Sequence, residues 1–288
     1  MSIGLSAYIT KSGSDAAYAW KFLSPFLFKS STAPEEFTVS GGPVLKKALG
    51  RQESDLNPEE IAELINKFPD ERISLCGMGP TSRKLFLTEW TDEINIRSVM
   101  LAGSYSEMAG EMKHVANALW KWPEPPIIAY TRLGTYRAWQ SYSDPEGYKR
   151  YYGSIDGFKI VPSGPPPVDF PSLDTSMNPG RNIRIDRFAF AVSADMWLGP
   201  RFWEFAPCKK DEVMAADFFL EKRESPDCLY LKSWHHPFTR PDGEQGRIQQ
   251  KLWRLLFHED CEWPPGSGGI SDEPIGGPPE FMPPGILD

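Results

Sequence analysis

Histidine and cysteine are both scarce in this chain. Its 288 residues hold four histidines, His114, His235, His236 and His258, and four cysteines, Cys76, Cys208, Cys228 and Cys261. No two cysteines form a CxxC pair, and so few scattered thiols in so long a chain do not make a disulfide scaffold. They are expected to be reduced and mostly buried. His235 and His236 are adjacent, so on a strand their rings point to opposite faces and do not readily chelate one ion. A site that joined one of them to Asp242, Glu244 or His258 would match no established ligand spacing. No metal and no cofactor is expected.

Catalytic signatures are missing as well. The chain has no GxSxG elbow, no GxxxxGK[ST] phosphate loop and no GxGxxG fingerprint. Pro69-Asp70 and Glu111-Met-Lys113 supply the letters of a nuclease motif, but Glu111 and Lys113 lie two residues apart within a predicted helix and point to different sides. Of the paired carboxylates, Glu59-Glu60 is explained by a helix start, while Glu35-Glu36 and Asp272-Glu273 fall in loop and tail sequence. Carboxylates far apart in sequence would leave no motif. The expectation is a protein without enzymatic activity, with a metal-dependent hydrolase using His235 or His236, Asp242 and His258 as the rival reading.

No apolar run approaches the ~18 residues that a transmembrane helix needs. The start, Met1 to Tyr8, lacks a basic n-region, and polar residues from Thr10 to Asp15 interrupt the apolar ones. A cytoplasmic protein is expected, with no membrane partner.

Basic residues are absent from the end of the chain. From Glu259 to Asp288 there are seven acids and no Lys or Arg, which leaves −1 of the net −8 for everything before them. A near-neutral body with an acidic tail does not suit direct nucleic-acid binding, which needs a basic footprint.

What is present reads as an α+β protein: a mainly antiparallel sheet flanked by amphipathic helices, in two sequence halves. Ser2 to Thr10 reads as a strand, and Ser14 opens a helix interrupted by Pro25. Asn57-Pro58-Glu59-Glu60 starts a helix that ends near Phe68-Pro69. Arg72 to Cys76, Arg83 to Trp90 and Ile94 to Leu101 read as strands joined by short turns, hence antiparallel. Ser104 and Glu107 have capping-box spacing ahead of Met108, Met112, Val115, Ala116 and Leu119, which share one helical face. Asn182 to Val192 reads as a strand, Lys210 to Leu220 as a helix, Cys228 to Trp234 as a strand. Asp242 opens a helix with Ile248, Leu252, Leu255 and Leu256 on one face. The body is expected over 1–262, with 1–122 and 127–262 as candidate lobes divided at Pro123–Pro126. A long loop with six prolines is expected over 162–180. Residues 263–288 form a Pro/Gly-rich acidic tail that cannot be helix or central strand.

Two segments are rich in aromatics. Asp195 to Cys208 holds Trp197, Phe202, Trp203 and Phe205 about a Gly199-Pro200 turn, with Arg201 and Glu204 between them. Trp and Arg are the residues most enriched at interface hot spots. Tyr142 to Tyr152 holds four tyrosines among charged residues, a composition that suits a semi-exposed recognition surface or the Tyr face of a helix. The expected partner-binding residues are therefore Trp197, Arg201, Phe202, Trp203, Glu204, Tyr148 and Tyr151, with Asp272 and Glu273 of the tail as an acidic arm.

The aromatic segment and the run from Leu229 through Trp234-His-His-Pro-Phe-Thr-Arg-Pro-Asp-Gly-Glu-Gln to Gly266 resemble bacterial polymorphic-toxin immunity proteins. The similarity is to the cytoplasmic α+β group paired with restriction-endonuclease-like toxins of type VI secretion systems. It covers the overall layout and roughly residues 183–266. The resemblance implies no enzymatic activity and tight, stoichiometric binding of one cognate toxin of nuclease type. It carries no residue-level motif. An adaptor or chaperone for a secreted effector is a third reading, in which toxin activity would persist in the complex.

Overall fold

A computed structural model describes residues 2–10, 21, 24–25, 36–41, 58–67, 73–78, 84–89, 96–104, 110–120, 125–152, 154–156, 158–163, 167, 170–175, 178–181, 183–185, 188–241 and 243–257. Five strands run early in the chain: β1 (Ser2–Thr10), β2 (Glu36–Gly41), β3 (Ile73–Met78), β4 (Lys84–Glu89) and β5 (Ile96–Ser104). Their pairings β2·β3, β3·β4, β4·β5 and β5·β1 are all antiparallel. The α+β class is as expected. The strand β2 lies where Glu35-Glu36 reads as loop, and Glu36 heads it opposite Met78.

Four later strands complete the same sheet: β6 (Ile128–Leu133), β11 (Asp195–Leu198), β12 (Glu221–Ser225) and β13 (Cys228–Lys232). The order is β12-β13-β11-β6-β1-β5-β4-β3-β2. Burial follows position in that order. Ile128, Ala129, Tyr130 and Thr131 of β6 and Gly4 through Ala7 of β1 are buried on consecutive residues, hence on both faces. A strand covered on both sides shows no two-residue alternation, which is why β6 does not announce itself in sequence. β12, Glu-Lys-Arg-Glu-Ser, is an exposed edge whose charges discourage strand addition.

The helices whose ends lie among the described residues are α1 (Pro58–Lys67), α2 (Met112–Leu119), α3 (Gly134–Ser141), α4 (Pro145–Tyr152), α5 (Phe202–Phe205), α6 (Lys210–Ala215) and α7 (Gly243–Phe257). α1 matches its Asn-Pro-Glu-Glu start. α2 begins at Met112 rather than behind Ser104, because Ser104 is the last residue of β5 and pairs with Ser2. Met112, Val115 and Ala116 are buried as the apolar spacing requires. α6 is shorter than Lys210 to Leu220. The ammonium of Lys222 donates to the carbonyl oxygens of Met214 and Ala216, the latter at 2.7 Å, and so closes the helix end before the chain enters β12. The helix expected from Ser14 lies largely outside the described residues, as do Met108, Asp242 and everything from His258 on.

The chain clusters into two units. The first comprises Met1–Thr131, Met196–Phe202 and Arg223–Tyr230, and holds most of the nine-stranded sheet. The second comprises Arg132–Asp195, Trp203–Lys222 and Leu231–Asp288. It contains two antiparallel hairpins, β7 (Ile160–Ser163) with β8 (Phe170–Leu173), and β9 (Ile183–Ile185) with β10 (Phe188–Phe190). The single strand expected over Asn182 to Val192 is therefore two short strands folded on each other, and the proline-rich stretch 162–180 is not all loop.

The interior of the second unit is partly polar. Tyr136 Oη donates to Gln249 Oε1 at 2.8 Å, and Gln249 Nε2 donates to the Arg240 carbonyl at 2.7 Å. Gln245 Oε1 accepts the Thr239 N–H at 2.9 Å. Gln140 Oε1 accepts the Gly180 N–H, and the Gln140 carbonyl accepts from Asn178 Nδ2. The buried Arg181 guanidinium lies 4.6 Å over the Trp253 ring and donates to the Asn178 carbonyl at 3.0 Å. Burial lowers its pKa to about 10, and Asp174 offsets part of that fall. The buried face of α7 thus includes Gln245, Gln249, Leu252, Trp253, Leu256 and Phe257, at i, i+4, i+7, i+8, i+11 and i+12, with Gly246 and Gln250 also buried. Ile248 and Leu255, expected on that face, are only half-buried. Gln245 and Gln249 are held inside because the chain returns to meet their amides.

Candidate partner-binding cleft

The sequence Asp144-Pro145-Glu146 starts α4 in the way Asn57-Pro58-Glu59 starts α1. Asp144 caps the helix: Oδ1 accepts the Glu146 N–H at 3.2 Å and Oδ2 accepts the Gly147 N–H at 3.1 Å. Proline takes the first helical position, where no N–H is needed. A Cβ on Gly147 would lie 2.6 Å from Asp144 Oδ2 and 2.8 Å from Tyr142 Cε1, so only glycine lets Tyr142 fold over the helix start. One turn on, Tyr148 is fully buried and meets the Phe158 ring edge-on at 5.1 Å, which anchors α4.

The β7·β8 hairpin stands beside this helix start. Leu173 N–H donates to the Ser143 carbonyl at 2.7 Å, and Ser172 Oγ donates to the same oxygen at 3.2 Å. Pro162 opposes Pro171 in the register. An antiparallel ribbon of two strands tolerates such a pair, because alternate pairs exchange no hydrogen bond.

Between the helix start and the hairpin lies a cleft of about 560 Å³, lined by Ser143, Asp144, Pro145, Glu146, Ile160, Ser163, Phe170, Pro171 and Ser172. Its volume falls in the range of clefts that hold ligands. Phe170 is 62 % exposed and Ile160 48 %, the first and third most exposed of the large apolar side chains described. Among the described residues the lining has two carboxylates and no basic group. It therefore offers apolar area beside negative charge. Because Asp144 already takes the first N–H groups of α4, this helix end does not recruit an anion.

The expected contact residues sort differently. Trp197, on β11 opposite Ala129, is 2 % exposed, and its ring lies 5.0 Å from that of Tyr230. Phe202 and Tyr148 are 0 % exposed. These three are core side chains and present nothing to a partner, which corrects their place in the contact set. Trp203 is half-buried, and Arg201 and Glu204 are exposed. Tyr151 lies in α4, with its side chain outside the described residues, and Asp272 and Glu273 lie wholly outside them. Phe170, Ile160, Asp144 and Glu146 were not among the expected residues. The Asp-Pro-Glu start was a readable signal for the acids. The strands bearing Ile160 and Phe170 were hidden by their prolines.

Other chemistry is thinly supplied among the described residues. His235 is exposed, His236 is half-buried with Nδ1 2.9 Å from the Pro237 carbonyl, and Asp242 and His258 lie outside the described residues. Among the described residues, no group of three or more His, Cys, Asp and Glu is placed to hold a metal ion. Burial pushes the thiols of Cys208 and Cys228 up to about 12, so neither is a thiolate near neutral pH. Among the described residues no helix is long and apolar enough to cross a membrane.

No protein-family model, curated protein or solved structure matches this chain.

Proposed function

We propose that this chain is an inhibitory binding protein that holds a cognate bacterial toxin in a stoichiometric complex and blocks its active site or substrate groove. One observation carries the binding role: the cleft of the second unit sets exposed Phe170 and Ile160 beside Asp144 and Glu146, with no basic side chain among the described residues of its lining. Apolar anchors surrounded by charge of one sign suit a protein surface better than a reacting small molecule. The resemblance of residues 183–266 to immunity proteins supplies the class of partner. A toxin that cuts nucleic acid carries a basic groove, and an acidic binder reaches such a groove by electrostatic steering.

Affinity capture from the native host tests this, followed by assay of the captured protein's activity with and without the chain. Loss of that activity at equimolar ratio is the expected result. Persistence of activity in a stable complex would favour the adaptor or chaperone reading. Steady turnover of a substrate by the purified chain, with no partner retained, would replace the proposal with an enzyme.

A further inference from the structure

We infer that the cleft between the start of α4 and the β7·β8 hairpin takes an extended segment of its partner in which apolar side chains are flanked by Lys or Arg. This rests on the proposed binding function and names the chemistry that the site selects.

Three features of the cleft choose this occupant. Its apolar wall comes from Ile160 and Phe170 with Pro145 and Pro171, and the first two remain largely open to solvent. Covering them removes apolar area from water, which favours an apolar side chain in the cleft. The polar remainder of the described lining is Ser143, Ser163, Ser172, Asp144 and Glu146, so the fixed charge these residues supply is negative. An acidic segment would meet like charge, and a neutral one would leave both carboxylates without counter-charge as water is displaced. The exposed lysines nearby, Lys149 on α4 and Lys159 beside β7, do not line the cleft.

The wall is also rigid where it matters. Asp144 is fixed by two backbone N–H groups and the hairpin is tied to Ser143 by two hydrogen bonds. Buried Tyr148 holds the helix between them. A site whose walls are already in place loses little ordering entropy on binding. An extended segment fits such a slot better than a folded surface, because its alternate side chains can enter the cleft and face the carboxylates in turn.

Fluorescence anisotropy with the full chain tests the inference. The probe is a labelled peptide with Phe and Leu between pairs of Lys, and the control replaces each Lys by Glu. The basic peptide should bind at least about tenfold more tightly. Phe170→Ser should weaken it by about tenfold or more, as loss of a central apolar anchor does. The double variant Asp144→Asn, Glu146→Gln keeps a capping side chain on α4 and should flatten the salt dependence of binding. Equal binding of both peptides, no binding of either, or an unchanged affinity in Phe170→Ser with unaltered circular dichroism would overturn it. If Phe170→Ser still captures the toxin as the unaltered chain does, the cleft is wrong and the inhibitory function stands. If the basic peptide binds as expected but no toxin is inhibited, the cleft stands and the function falls.

Discussion

Two regions of this molecule look alike in sequence and differ in space. Asp195 to Cys208 packs Trp197, Phe202 and Cys208 inside, while the strand-helix region that buries Tyr148 and Leu173 leaves Tyr142, Ile160 and Phe170 exposed. Aromatic density does not separate them. The difference is what each backbone does. β11 pairs with β6 in the buried middle of a nine-stranded sheet, so its alternate side chains have layers to enter. Among the described residues β7 and β8 pair only with each other, and a ribbon of two strands has less sheet to pack its side chains against.

That contrast can be broken most forcefully at Trp197. Trp197→Ala should cost about 3–5 kcal/mol in urea denaturation, as a cavity opens in a packed core. A loss under about 1 kcal/mol would mean that the indole is not enclosed. Gly199→Ala comes next, at about 1–3 kcal/mol, because a Cβ there would run into the Pro126 carbonyl oxygen while Gly199 N–H holds the Ile127 carbonyl at 2.9 Å. On the cleft side, Asp144→Ala should cost about 1 kcal/mol as the α4 cap is lost, and Asp144→Asn only a few tenths. Phe170→Ser should move stability by no more than about 0.5 kcal/mol, since its ring is already in water, while weakening the partner complex. A large loss of stability there would place Phe170 in the core and end the contrast.

At neutral pH the smallest effect belongs to the cysteines. The folded pKa values of Cys208 and Cys228 lie above the ordinary value of 9.0, so burial favours the protonated form. The stability this contributes is complete below pH 9 and is lost as pH rises toward 12. A denaturation series should show no cysteine-dependent change between about pH 6 and 8, and a decline at alkaline pH that Cys208→Ala makes shallower. An equal alkaline decline in that variant would show that the thiol is not buried.

Much of the sheet was legible where strands alternate or sit between clear turns, as at β1, β3, β4 and β5. It was illegible where strands are covered on both faces, as at β6, or carry almost only charge, as at β12. Gln245 and Gln249 were missing from the face expected of α7 because a sequence shows the amide and not the Tyr136, Thr239 and Arg240 groups that satisfy it. The cleft was half legible. Asp144 and Glu146 belong to a helix start written in the standard residues, whereas Ile160 and Phe170 stand in strands that each contain a proline. Local propensity argues against such strands, and the pairing with β7 and the tertiary ties to Ser143 hold β8 in place.

Asp144 serves two tasks with one carboxylate. Its oxygens hold the Glu146 and Gly147 amides, and they also form part of the cleft lining. Occupancy of the cleft and fraying of α4 are therefore thermodynamically linked. A cation drawn onto that carboxylate would alter the solvent exchange of two identifiable amide protons, giving the molecule a built-in reporter of whether its cleft is full.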